Sequence, residues 1–274
     1  MNPSASFEII VVDNASQDGS PQHIAQQFPK VRLIRNTKNI GFASACNQGF
    51  KASVGGYCLI MNSDTEMRSE QPLFILEELF RDNLKIGVVG AQLFFPNGRL
   101  QSSGRRFLTS AELVKTQLLF STRIQIFRPK KSGSVNVHVD YVDGAFLALR
   151  RHTIEEIGLF DEQFFMYAED MDLCMRAKKA GWKVAVTKDI RVLHCHAASA
   201  RQNFCKILLH NAKNVSRFNS RYYGTNHGRF AYDVILLGML LRIPLSMIRR
   251  NGLAGDYWAA FIKGLHCRKT FLGT

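Results

Sequence analysis

The feature that most narrows the possible folds is an alternation in the first 65 residues. Short apolar, β-branched runs, each closed by a polar turn, are separated by segments with helix signals. Phe7-Glu8-Ile9-Ile10-Val11-Val12 is the first such run and ends at Asp13-Asn14. Its nearly continuous apolar character predicts a strand buried on both faces. Ser20-Pro21 predicts a helix over 21–28, with Ser20 at N-cap and Pro21 at N1. Val31–Ile34 reads as a second strand, and Ala43–Ser53 as a helix ended by Gly55-Gly56. Tyr57–Met61 reads as a third strand, closed by Asn62-Ser63-Asp64. This alternation implies an α/β fold with a mostly parallel central sheet and helices on both faces, because parallel neighbours need crossover connections.

The pattern continues less regularly. Ser69 is the expected cap of a helix reaching Arg81, and Ile86–Ala91 reads as another strand. Residues 92–135 are irregular, polar and basic, as a loop over a site would be. Val137–Leu149 is strand-like but interrupted at Asp143-Gly144. Glu169–Ala180 reads as a helix stopped by Gly181. Lys183–Val186 and Ile190–Leu193 read as two short strands. With 274 residues, 46% of them hydrophobic and 21% charged, the chain can bury a core without disulfides, which excludes intrinsic disorder. Its six cysteines are scattered and form no CxxC pair, pointing to reduced thiols and a cytoplasmic setting. Met1-Asn2-Pro3-Ser4 does not open a signal-peptide pattern.

Charge divides the chain. Residues 201–274 hold twelve Lys and Arg against two acids, and so carry ten of the fourteen net positive charges. The expected division is therefore an α/β domain over 1–200 and a basic helical extension over 201–274. Such a tail suits an anionic partner. No nucleic-acid recognition motif accompanies it. Within it, Phe230–Ile248 is strongly apolar but contains Asp233, Arg242 and Pro244. Its longest uncharged stretch, Val234–Leu241, is too short to span a bilayer. Arg249-Arg250 and Tyr257-Trp258 follow. An apolar helix with basic and aromatic flanks suits a membrane surface, and equally a helix packed on the domain.

Four places carry candidate chemistry. Asp13 follows a strand, and in open α/β sheets ligands bind beyond the carboxyl ends of strands. A carboxylate there can accept from a base or ribose, although Asp-Asn is also a good turn former. Asp64, on a similar hook, could hold Mg²⁺ or Mn²⁺ whose other ligands come from a diphosphate and water, or be a loop aspartate. Glu169, Asp170 and Asp172 open a helix, where acids complement the macrodipole and Asp172 can pair with Arg176. The same position suits a general base. His194-Cys195-His196, with Cys205 and His210, fits no compact zinc spacing. A single histidine beside a hard metal is the alternative to an ordinary buried one.

The stretches FEIIVVDNASQDGS (7–20), NIGFASACNQG (39–49), LIMNSDT (59–65), VDGA (142–145), GLFDEQFFMYAEDMDLCMRAKKAGW (158–182) and VLH (192–194) run in one order over residues 7–200. Together they resemble the family 2 glycosyltransferases of the GT-A fold, in the bacterial rhamnosyltransferase-like branch. The resemblance implies that Asp170, with Glu169 beside it, is the catalytic base. It implies that Asp13, Asn14, Asn39, Gly41, Asn47, Asn62 and Gly144 bind substrate, and that Asp64 and His194 hold Mg²⁺ or Mn²⁺. It also implies a nucleotide-diphospho-sugar donor and a glycan or lipid-linked acceptor; a lipid-linked acceptor would suit a cytoplasmic protein whose apolar, basic tail lies on the inner leaflet of the membrane. One departure is Asn62, which stands where the family's DxD motif has its first acid. Another is the start: family members carry a strand and helix ahead of the position of Phe7, where this sequence has six residues. That departure implies either a start further upstream or a shortened, inactive copy that binds nucleotide sugar. A sugar nucleotidyltransferase shares nucleotide and metal use, but its Gly-rich basic phosphate loop is not found near the start.

Overall fold

The structure is a computed structural model that describes residues 6–120, 136–195 and 203–272. In chain order the elements are β1 (Ile10–Asp13), α1 (Ser20–Gln27), β2 (Arg32–Arg35), α2 (Phe42–Ala52), β3 (Tyr57–Met61) and β4 (Thr65–Met67). Next come α3 (Pro72–Asp82), β5 (Ile86–Phe94), β6 (Gly104–Arg105), α4 (Ser110–Leu118), β7 (Asn136–His138), β8 (Tyr141–Val142) and β9 (Phe146–Arg150). The chain closes with α5 (Arg151–Ile157), α6 (Glu169–Lys179), β10 (Lys183–His194), α7 (Phe204–Tyr223), α8 (Thr225–Arg249) and α9 (Ala254–Leu272). They form two compact units. The first holds β1 to β6, β7 to β10 and helices α1, α2, α3, α5 and α6. The second holds α4, residues 166–168 and α7 to α9.

The first unit is built on a six-stranded sheet of order β3-β9-β5-β10-β4, with β7 also on β10. Successive side chains of its central strands enter opposite cores, as the two-residue period of a strand requires. Val88, Leu147 and Leu149 pack with Leu173, Cys174 and Ala177 of α6, while Val89, Phe146 and Ala148 pack with Leu76, Leu79 and Phe80 of α3. Helices thus cover both faces. The ladders are mixed rather than mostly parallel: β5–β10 is parallel, but β9 runs antiparallel to both β3 and β5. β9 follows directly on the short β7 and β8 and pairs antiparallel with β3 and β5, a pairing that needs no crossover connection.

Several local expectations are corrected. The first strand is shorter than Phe7–Val12 and is not buried on both faces; Phe7 and Ile9 are 68% and 50% exposed. β1 pairs with β2 in a two-stranded parallel ribbon, and among the described residues no strand takes its other edge. Gly19, in a left-handed conformation, caps α1 in place of Ser20, whose N–H and hydroxyl donate to Asp18 Oδ1 instead. Ser69 does not cap α3. Its hydroxyl donates to Asp189 O and accepts from Arg191 N, joining the end of β4 to β10. The two short strands expected over 183–193 are one strand, β10, with a register irregularity between Val186 and Arg191. Residues 92–120 are not irregular throughout, since they contain β6 and α4. The rest of that expected loop, 121–135, lies outside the described residues, as does His196.

The second unit is helical. Thr109 and Glu112 cap the start of α4 reciprocally. Leu113 packs with Ala231, Tyr232, Ile235, Leu236 and Met239 of α8 and Ala260 of α9. Gly228 lets α7 and α8 approach closely, because a Cβ there would lie 2.7 Å from Ser216 O. α8 runs unbroken through Pro244. The charges expected to interrupt it are accommodated: Asp233 takes both forks of Arg268 at 2.7 and 2.8 Å, and Arg242 Nη1 donates to Gly238 O and Gln117 O. By length and composition α8 could cross a membrane, and 44% of its most apolar window is buried within the structure.

Candidate active site

The site lies at one end of the sheets of the first unit. The loops after β1, β2, β3 and β10 leave there, and antiparallel β9 begins there. In an open α/β sheet this is where ligands bind. Asp13 is the last residue of β1 and is buried at 8% exposure; its Oδ1 accepts from Ser16 N. Asn14 ties the loops after β1 and β2 together. Its Nδ2 donates to Asn39 Oδ1 and Gly41 O, each at 3.1 Å, and its Oδ1 accepts from Asn36 Nδ2 and Ile40 N. Gly41 has φ +90°, and a Cβ there would sit 2.6 Å from Phe165 O, so only glycine fits without strain.

A chain of contacts links these loops to the acids of α6. Gly144 packs on the ring of Phe42, where a Cβ would be 3.4 Å away, and its N–H donates to Asp170 Oδ2 at 3.2 Å. The neighbouring Ala145 O accepts from Asn62 N, which places the Asn62-Ser63-Asp64 hook against the same loop. Asp13, Asp64 and Asp170 therefore sit on loops joined by successive contacts through Asn14, Gly41, Phe42, Gly144, Ala145 and Asn62. Asn47 has a different setting. It is buried in α2, donates to Phe160 O and Glu162 Oε1, and accepts from Phe160 N, so its amide holds the 158–165 loop in place.

Asp170 is the second residue of α6, which follows Tyr167 and Ala168, two non-glycine residues with φ of 72° and 68°. Such backbone is costly and is kept where neighbouring structure enforces it. Burial, and then the nearby Asp143 carboxylate, push the Asp170 carboxyl up to about 6; hydrogen bonds from Met171 N and Gly144 N and the charge of Arg105 hold it from rising further. Glu169 is raised well above its ordinary range by burial and by Asp170, and its Oε2 is buried with no hydrogen-bond partner. The two adjacent acids thus differ. Glu169 is raised chiefly by its burial, with no partner for Oε2, whereas Asp170, raised to about 6, is poised to exchange a proton close to neutrality. Asp172, fully buried, meets Arg176 Nε at 2.8 Å, and Arg176 also donates to Ile157, Gly158 and Leu159 carbonyls. That pair fastens the helix rather than facing the acids.

His194 ends β10. Its Nε2 lies 3.4 Å from Asp64 Oδ1, and Cys195 N donates to Asp64 O. Among the described residues no group of three His, Cys, Asp or Glu side chains is placed to hold a metal alone. A carboxylate and an imidazole, with Asp64 one-third exposed, instead fit a Mg²⁺ or Mn²⁺ ion that completes its shell from water and a phosphorylated ligand. Two side chains escaped the sequence reading. Arg105 Nη2 reaches Asp143 Oδ2 at 3.4 Å, and Gln101 is buried against His194. Both belong to the stretch expected to be irregular.

A mixed sheet covered by helices on both faces, with the acids gathered at its strand ends, is the GT-A architecture. The glycosyl transferase family 2 model matches residues 2–158, and the chain belongs to that family. It is 28% identical over 207 residues to N-acetylglucosaminyl-diphospho-decaprenol L-rhamnosyltransferase of Mycobacterium tuberculosis, covering 70% of this chain and 67% of the relative. It is 28% identical over 224 residues to rhamnosyltransferase WbbL of Escherichia coli K12, covering 78% and 83%. Among solved structures, the mannosyltransferase PcManGT of Pyrobaculum calidifontis, in complex with GDP-Man and Mn²⁺, aligns with TM-score 0.53 at 14% identity over 96% of this chain and 79% of that one. GalNAc-T7 with UDP, GalNAc and Mn²⁺ aligns with TM-score 0.56 at 16% identity, over 78% and 41%. These two likenesses concern the fold.

Proposed function

We propose that this chain is an inverting, metal-assisted glycosyltransferase. It moves a sugar from a nucleoside diphosphate donor to a hydroxyl of a glycan or lipid-linked acceptor in cell-surface polysaccharide synthesis. Rhamnose is the first candidate sugar, because both rhamnosyltransferases above align along most of this chain; a dTDP donor follows from the family resemblance alone. The observation that carries the reading is Asp170, buried, raised to about 6 and hydrogen-bonded to Gly144 N on the loop that touches the Asp64 hook.

In this mechanism Asp170 Oδ2 or Oδ1 takes the proton of the acceptor hydroxyl. The freed oxygen attacks the anomeric carbon on the face opposite the diphosphate. The bond from that carbon to the diphosphate oxygen breaks, and the leaving group keeps the electron pair. Asp13, Asn14, Asn39, Gly41, Asn62 and Gly144 line the donor's place, and Asn47 supports it from behind. Asp64 and His194 would hold the Mg²⁺ or Mn²⁺ ion, which offsets charge on the departing diphosphate when bound.

The test is a screen of nucleotide sugars for nucleoside diphosphate release with Mg²⁺ or Mn²⁺. Release from one donor, lost on chelation, is the expected result. Tight donor binding without release would instead favour a binding protein that does not turn over.

The same reading places the chain at the cytoplasmic face of a membrane. Phe230, Leu237, Leu241 and Ile248 are exposed on α8 at intervals of seven, four and seven residues, which is one helical face, and Arg249 and Arg250 close it. Basic and apolar residues together favour anionic bilayers. Co-sedimentation with phosphatidylglycerol vesicles but not phosphatidylcholine vesicles is expected, and Leu241→Ser with Ile248→Ser should release the protein.

A further inference from the structure

Gln101 lies 93 positions from His194 in sequence, yet the two residues share a reciprocal pair of hydrogen bonds. Gln101 Nε2 donates to the His194 backbone carbonyl at 2.8 Å, and Gln101 Oε1 lies 3.0 Å from His194 Nδ1. The first bond decides the second. A carbonyl oxygen only accepts, so the amide nitrogen must face it and the amide oxygen must face the ring. An amide oxygen also only accepts, so Nδ1 must carry a proton. In a neutral imidazole this leaves the Nε2 lone pair, and Nε2 is the atom 3.4 Å from Asp64 Oδ1. That separation exceeds an ordinary N–H···O bond.

The amide is itself fixed. Gln101 is 7% exposed, and its backbone N–H donates to Leu93 O on β5, the strand paired with β10 through Leu93 and Val192. Histidine ligands to metals are commonly oriented in this way, by a partner on the other ring nitrogen. Here the partner also grips the backbone of the same histidine, so ring orientation and chain position are set together.

We propose that Gln101 is a positioning residue that keeps the His194 proton on Nδ1 and turns Nε2 toward Asp64, presenting a ready pair of ligands to a divalent cation. The proposal rests on the metal-assisted reading above, and the experiments separate the two. The first is imidazole ¹H–¹⁵N correlation on the full, metal-free chain at pH 8. A His194 resonance pattern with the proton on Nδ1 is expected; the proton on Nε2 in the wild-type protein overturns the proposal without any variant being made. The second is calorimetric titration of Mn²⁺ in the presence of dTDP. Gln101→Met should weaken Mn²⁺ binding by roughly 10–100-fold, the range for losing a partner of a ligand histidine. Gln101→Glu keeps an acceptor for Nδ1 but loses the donor to the His194 carbonyl, and should recover only part of that affinity. Equal Mn²⁺ affinity in wild type and a folded Gln101→Met contradicts the positioning role. Failure of the wild-type protein to bind Mn²⁺ sinks the metal reading and the purpose given to Gln101, while the spectrum still decides where the proton sits.

Discussion

Two runs of sequence, Phe7–Val12 and Ile86–Ala91, look alike on paper and fare differently in the fold. Ile86–Ala91 lies within β5, between β9 and β10, and all six residues are buried. Phe7–Val12 contributes to β1, which shares a ladder with β2 alone, and Phe7 and Ile9 face solvent. Apolar, β-branched character selects a strand in both. Burial comes from how many neighbours a strand acquires, which no local window records. The difference also divides the site. The ribbon carries Asp13, Asn14, Asn39 and Gly41, which are candidates for holding the donor. The six-stranded sheet and α6 carry Asp64, His194 and Asp170, which are candidates for the chemistry.

The contrast can be broken by substitution. Leu147→Ala, in the centre of the sheet, should cost about 2–5 kcal/mol in urea unfolding, because the cavity cannot close between two packed layers. A cost below about 1 kcal/mol would mean that the sheet is looser than described. Gly41→Ala places a Cβ 2.6 Å from Phe165 O at a positive φ, and should cost about 1–3 kcal/mol through strain. Its effect should appear first as weaker donor binding by calorimetry, because the loop it displaces is the one Asn14 ties down. Arg105→Met removes a charge that holds Asp170 down. The acid limb of the kcat/KM profile, expected near pH 6, should then move up by as much as about 1 unit; an unmoved limb would detach Arg105 from the base. Smallest of all, Ile9→Ser, just ahead of the ribbon, should change stability by less than about 0.5 kcal/mol.

Proton linkage adds a control for the acid site. The folded state raises the Asp170 carboxyl, so it binds that proton more tightly than the unfolded chain does. This favours the fold below the ordinary aspartate range and is lost as pH rises through about 6. Asp170→Asn should therefore melt above wild type at pH 8 and close to it at pH 3.5.

What could be read in advance follows from the range of the interactions involved. β3 matches its expected span, Tyr57–Met61, because its run is bounded by glycines on one side and a polar hook on the other. α6 begins at Glu169 and stops before Gly181, as its acid-rich first turn and terminal glycine imply. The acids were visible for the same local reason. α4 was missed although Thr109 and Glu112 spell its capping box; the signal was there, and the basic surroundings outweighed it. Ser69 and Gln101 carried no such signal. Each acts on a partner more than 90 residues away, and such pairings exist only once the sheet has formed. The ribbon's exposure belongs to the same class.

The central claim is that Asp170 removes the proton of the acceptor hydroxyl. Single-turnover transfer from a saturating nucleotide sugar, compared between wild type and Asp170→Asn, tests it most directly. The account predicts unchanged donor affinity with a rate lowered by about 10²–10⁴-fold. Transfer by Asp170→Asn at the wild-type rate would contradict it.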